Sequence, residues 1–247
     1  MFVYFAKKLT FLEKKMKKTL SIILFVMVSS TLYSQAIPEK FDPKVTLSSD
    51  KCYDVIKTVW DGIKKVSEEY STQNLVKSEF ESSSEFSERV RKTKDAYINA
   101  VNKYALDNKL NELIYSVWLK ADLVKYDADN QVYSVKSSSQ ILVQPKKNDI
   151  AITISSNKYA TIEEKNHGGY RTAHFQLNTT PEFSWFVNKQ TALSAKNKEH
   201  QIFFKLSFKF EVFVNESNEQ IIIQLVPTKL ALMDQQDNFT YWSEEIR

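Results

Sequence analysis

Residues 201–214 read QIFFKLSFKFEVFV. Phe204, Leu206, Phe208, Phe210, Val212 and Val214 make one unbroken apolar row, and Phe203, Lys205, Ser207, Lys209, Glu211 and Phe213 make the other. A period of two sends successive side chains to opposite faces of a strand. The first row therefore faces a core and the second faces water. A slip of one residue would carry Lys205 and Lys209 into that core, so the register is firm. Were this strand at a sheet edge, the two lysines would also guard it against edge-to-edge pairing. Any fold of this chain has to supply a cover for the apolar row.

The first half of the chain supplies candidates. Cys52, Ile56, Val59, Ile63, Val66 and Tyr70 recur at alternating spacings of four and three, with Val55 and Trp60 alongside. Phe86, Val90, Thr93, Tyr97, Ala100 and Tyr104 follow the same rule. Each set is the stripe of an amphipathic helix. Ser48, Ser49 and Asp50 are N-cap candidates for the first. KSEFESSSEFSERVRK, residues 77–92, leads into the second. There Ser82 and Glu85 have capping-box spacing, and Glu79, Glu81 and Glu85 lie at the positive end of the helix dipole. Glu85–Arg89 and Glu88–Lys92 are four apart in the favourable order. The charged cluster is thus the way a helix begins rather than a metal or acid–base site. Residues 71–81 join the two helices into an antiparallel pair packed on each other or on the sheet.

From about residue 121 the period is two. ADLVKYDADNQVYSV reads as strand, turn and strand about Asp127–Asn130, and further strands fall at 141–144, 149–155, 159–164 and 170–177. NHGGY, residues 166–170, is a hairpin turn with paired glycines. NESNEQ turns the long strand into IIIQLV, and KLALMDQQDNFTYW closes with a hairpin. Residues 178–199 fit a short helix or a long crossing loop. Consecutive strands with short turns predict an α+β fold, with N-terminal amphipathic helices packed on a C-terminal antiparallel sheet. One domain covers 37–247, helical over about 48–118 and β-rich over about 119–247.

Two segments carry a resemblance. EFESSSEFSER (79–89) resembles the E-F-E-T-T-x-E-Y-x-x-R segment of uncharacterised exported bacterial proteins, and YDADNQVYSV (126–135) resembles their later Y-D-A-D-x-x-x-F-x-V segment. The match covers about ten residues in each place, with serines in place of the threonines. It implies export and an α-then-β order, and no activity.

The N-terminus points the same way. Met16 is followed by Lys17 and Lys18, an apolar stretch over 20–28, and a polar end at Ser34, Gln35 and Ala36. That is the layout of a secretory signal peptide, with Met16 read as the start and cleavage expected near Ala36. The apolar stretch is shorter than the roughly 20 residues a spanning helix needs, so the mature chain is not expected to span a membrane. No cysteine lies there to carry a lipid. Residues 1–36 hold six lysines and one glutamate, leaving 28 of the 34 basic and 29 of the 30 acidic residues, a net of −1. A nucleic-acid partner, which needs a basic patch, is not expected.

The common catalytic signatures are missing from the sequence. With only Gly62, Gly168 and Gly169, phosphate loops, nucleotide fingerprints and the nucleophile elbow cannot be built. Asp127 and Asp129 suggest a calcium loop, but Val132 and Ser138 occupy its glycine and final glutamate positions. Paired cysteines and H-E-x-x-H are absent. His167, Glu163 and Glu164 meet only across a hairpin, where structural roles prevail. Cys52 is the sole cysteine, far in sequence from His167, His174 and His200, and reads as a buried hydrophobe. No cofactor or metal is expected. The leading reading is an exported, non-catalytic binding or assembly domain of a bacterial envelope or exterior, whose partner is an envelope protein, a glycan or a lipid. Phe203 and Phe213 are its candidate binding face. The alternative is a secreted hydrolase using two carboxylates distant in sequence.

Overall fold

The computed structural model describes residues 37–71, 75–145, 149–167, 170–178, 183–215 and 217–246. The signal-peptide reading of 1–36 lies outside them, as does the glycine pair at 168–169. Residues Ile37–Arg247 form one unit. After a single helical turn at Ile37–Lys40 come α1 (Ser49–Ser71) and α2 (Ser83–Asp107). The strands follow as β1 (Tyr115–Lys120), β2 (Asp122–Asp127), β3 (Val132–Lys136), β4 (Gln140–Pro145), β5 (Ile150–Ile154), β6 (Ala160–His167), β7 (Tyr170–Leu177) and β8 (Phe183–Phe186). A short α3 (Lys189–Asn197) then leads to β9 (Ile202–Asn215), β10 (Gln220–Asp234) and β11 (Thr240–Glu245). The fold is α+β, with the two long helices N-terminal and antiparallel-rich sheets after them. None of the described helices is long and apolar enough to cross a membrane.

β9 is the strand whose alternation dominates the sequence, and it is central rather than at an edge. It pairs antiparallel with β1 over Phe203–Phe208 and with β10 over Ile202–Asn215. The arrangement predicted for its apolar row holds over four positions: Phe204, Leu206, Phe208 and Phe210 are buried, while Val212 and Val214 are half-buried. The cover is shared. α1 packs on β1 and β4, α2 packs on α1 and β9, and Phe183 of β8 meets Phe204 edge-on with ring centres 5.5 Å apart. The helices alone do not make it.

β10 changes partner halfway along its second edge. Ile221–Leu225 pair in parallel with β5, and Lys229–Met233 pair antiparallel with β11. The ladder to β9 shifts register between Pro227 and Lys229. Proline has no N–H to give a ladder and belongs at such an irregularity. The remaining strands form two three-stranded sheets, β2-β3-β8 and β4-β7-β6. The first docks through aromatic rings: Trp185 lies 5.4 Å from Tyr241, and Phe183 lies 4.7 Å from Trp242.

The hairpins fall where the sequence predicts them, and three of their turns bend at residues other than glycine. Gln131, Glu219 and Asn238 take the left-handed backbone, with φ between 52 and 59°. Asp127 accepts the backbone N–H groups of Asp129 and Asn130, at 3.0 and 3.1 Å. That is an Asx turn and not a calcium loop. His167 pairs with Tyr170 across the expected glycine turn.

Two segments differ from the sequence reading, and a third, 178–199, contains the short helix it allowed, preceded by a strand. The helical part predicted to reach about 118 ends at Asp107, and Tyr115–Lys120 is a strand. α2 buries Tyr97 and Val101 while Ala100 is exposed, because the apolar stripe drifts by one residue along 3.6-residue turns. Within 178–199 the described residues form a strand and then a helix, capped by the Asn188 side chain on the Thr191 N–H at 2.9 Å.

Candidate functional site

The second row of β9 lies on the face of the five-stranded sheet opposite the core. The β1 register sets Phe203 beside Lys120, Lys205 beside Trp118 and Ser207 beside Ser116. The β10 register sets the same residues beside Met233, Ala231 and Lys229. Two ion pairs lie on this face, Lys209–Glu211 at 3.0 Å and Lys229–Glu245 at 2.8 Å. Ser116 and Ser207 join through their hydroxyls at 2.9 Å. Trp118 and Phe203 meet edge to face, with ring centres 6.3 Å apart, and the Lys205 ammonium stands 5.7 Å from the centre of the Trp118 ring.

Phe203 and Phe213 share this face but not one patch. Ten residues of strand separate them, roughly 33 Å at the strand rise. Phe213 is 42 % exposed near the hairpin end of β9. Phe203 borders a groove of about 400 Å³ at the other end.

Each wall of that groove comes from a different part of the chain. Trp118 and Phe203 supply two rings, and Lys120 continues β1 beside them. Ser139, in the short segment between β3 and β4, accepts the Lys120 backbone N–H at 2.7 Å. Thr46, Ser48 and Ser49 arrive on the segment that enters α1. That segment is pinned to β1: Leu47 donates to the Ser116 carbonyl at 2.7 Å and accepts the Trp118 N–H at 2.9 Å. Gln235 closes the groove from the β10–β11 turn. The fully buried Asp234 carboxylate sets this turn, accepting the Gln236 N–H at 2.9 Å and the Lys198 ammonium at 3.0 Å. The Gln235 N–H donates to the Gln201 carbonyl at 2.8 Å. The Lys120 ammonium pairs with Asp122 at 2.9 Å, which raises its pKa. Among the described residues no carboxylate lines the groove.

A second, more open groove of about 680 Å³ follows the start of α2 and includes Glu81, Glu85, Glu88 and Arg89. Here the capping box read from the sequence is complete: Ser82 Oγ accepts the Glu85 N–H at 3.2 Å, and Glu85 accepts the Ser82 N–H at 2.8 Å. The bidentate grip of Arg89 falls on Glu81, at 2.8 and 2.9 Å, rather than on Glu85 as the spacing predicts. Glu88 takes Arg91 at 2.8 Å and Lys92 at 3.5 Å. All three carboxyls are held below their usual range: Glu81 by Arg89, Glu85 by Ser82 and Glu88 by Arg91. A glycosidase acid requires the opposite shift, upward toward neutrality.

The other candidates have structural surroundings. Cys52 is 1 % exposed and burial pushes its thiol up to about 12, far from the thiolate a nucleophile needs. Glu163 stands opposite His174 in the β6–β7 ladder, and His174 meets Thr172 at 3.1 Å. Among the described residues no three His, Cys, Asp or Glu side chains converge as metal ligands would.

Sequence reading found Phe203 and missed Trp118, Ser139 and Gln235. Trp118 was hidden by assigning 115–118 to the helical part. The alternation of Tyr115, Val117 and Leu119 with Ser116, Trp118 and Lys120 was the signal that could have found it. No family model matches the chain, and no curated protein or solved structure matches it either.

Proposed function

We propose that this chain is exported and serves as a non-catalytic binding or assembly domain of the bacterial envelope or exterior, engaging its partner at the groove between Trp118 and Phe203. One observation carries the reading: two rings stand side by side on the uncovered face of the main sheet, bordered by neutral hydrogen-bonding groups. A concave site with aromatic walls and a few placed polar groups is the ordinary form of a binding site. Export is supported by the Met16-to-Ala36 pattern, the resemblance of 79–89 and 126–135, and a single thiol shielded from oxidants. The carboxylate-hydrolase reading draws nothing from the α2 groove, where every glutamate named above is engaged in an ion pair or a cap.

Two measurements test the proposal. Intact mass of protein from the native envelope fraction should start close to Ile37, and retention of Met16 and the apolar stretch would refute export. Titrating an envelope extract into labelled protein should move the Trp118 indole signal in nuclear magnetic resonance spectra, with the signals of Trp60 and Trp185 unmoved. An extract that leaves Trp118 unmoved would refute the binding site.

A further inference from the structure

We infer that the groove accepts a neutral pyranose ring, so that the partner is a glycan. The inference rests on the reading of this groove as the binding site and names its ligand class. A pyranose presents a face of C–H bonds and a rim of hydroxyls that both donate and accept. The groove mirrors both features. Trp118 and Phe203, packed edge to face, supply the aromatic surface on which a C–H face can rest. Thr46, Ser49, Ser139 and Gln235 stand around them with side chains that both donate and accept. Ser139 Oγ and Ser48 Oγ each already accept a backbone N–H, at 2.7 and 3.4 Å, and each keeps its own proton to donate outward. A volume of about 400 Å³ lies within the range of roughly 300–1,000 Å³ for small-molecule sites.

The same lining disfavours the other partner classes. A lipid chain needs an apolar cavity, and here neutral polar side chains outnumber the two rings. A nucleic-acid backbone needs several cations, and among the described residues Lys120 is the only one in the lining and is paired with Asp122. An extended peptide would add to the free edge of β1, but Leu47 already pairs there with Val117. A basic peptide finds no carboxylate in the groove.

The test uses chitohexaose, cellohexaose and maltohexaose, titrated separately into the labelled mature chain, with the Trp118 indole and Phe203 amide signals followed. At least one is expected to shift both signals saturably. Trp118→Ala and Gln235→Ala should each weaken that binding about tenfold or more, while Trp118→Phe, which keeps a ring, should hold it within about threefold. Gln235→Ala guards against a Trp118→Ala chain that fails to fold, because the turn contacts of Gln235 are made by its backbone. The envelope extract separates this inference from the reading beneath it. Periodate, which cleaves vicinal diols, should abolish the Trp118 shift, and protease should not. A shift that survives periodate overturns the glycan and leaves the binding site standing. No shift with the untreated extract or with any of the three sugars overturns both.

Discussion

α1 and α2 are nearly equal in length, 23 and 25 residues, and draw their stability from different places. In α1, Val55, Ile56, Val59 and Ile63 are fully buried, and each such side chain is worth roughly 1.5–3 kcal/mol. α2 buries only Tyr97 and Val101. It is supported along its length by the capping box, by Arg89 gripping Glu81, and by the Arg91–Asp95 and Lys103–Asp107 pairs at 3.2 and 2.8 Å. Exposed pairs at this spacing each add only a small, salt-screened increment. α1 is therefore a product of the whole fold, while the start of α2 is largely a product of its own sequence. The two touch where α1 carries Gly62: a β-carbon there would overlap the Tyr104 ring of α2.

The largest test of this contrast is Ile56→Ala, which should cost about 2–5 kcal/mol in a denaturant melt. A loss below about 1 kcal/mol would mean that α1 is not core-dependent in the sense argued here. Ser82→Ala should cost less, about 0.5–2 kcal/mol. A cost equal to that of Ile56→Ala would erase the distinction between the helices. Acid gives the smallest and most selective probe. The Glu81 and Glu85 pKa values are lowered in the folded chain, so their stabilisation is complete above the ordinary carboxyl value of 4.5 and is lost as pH falls through and below it. Thermal melts between pH 7 and pH 3 should fall less steeply for Glu81→Gln with Glu85→Gln than for the unaltered chain. Identical profiles would remove these carboxylates from the account.

The same contrast explains what the sequence discloses. The cap at Ser82 is legible because its partner is three residues away, and the Asp127 turn is legible for the same reason. The apolar row of β9 is legible because a two-residue period admits one structure. Arg89 was assigned the wrong glutamate because Glu81 precedes the helix, where helical spacing does not apply. The groove is the least legible part. Thr46, Trp118, Ser139, Phe203 and Gln235 come from five separate stretches, brought together by the β1–β9 and β9–β10 registers, the Leu47 bridge and the Lys120–Ser139 hydrogen bond. Phe203 was visible as an odd aromatic in a polar row, yet its neighbour Trp118 was visible only once 115–120 was read as a strand.

The position of β9 and β10 in the chain has a consequence for when this protein becomes folded at all. They come late, within residues 202–234, and they are the surface against which β1, β5 and β11 pair and α2 packs. During synthesis α1 and the β4-β7-β6 sheet it packs on emerge first, while α2 and β1 wait for β9, the strand against which they pack and pair. The five-stranded sheet cannot assemble until β9 and β10 are both present. The fragment 37–201 should accordingly bind a hydrophobic dye and melt without a cooperative transition. A sharp melt of that fragment would show that residues 37–201 settle before the long hairpin arrives.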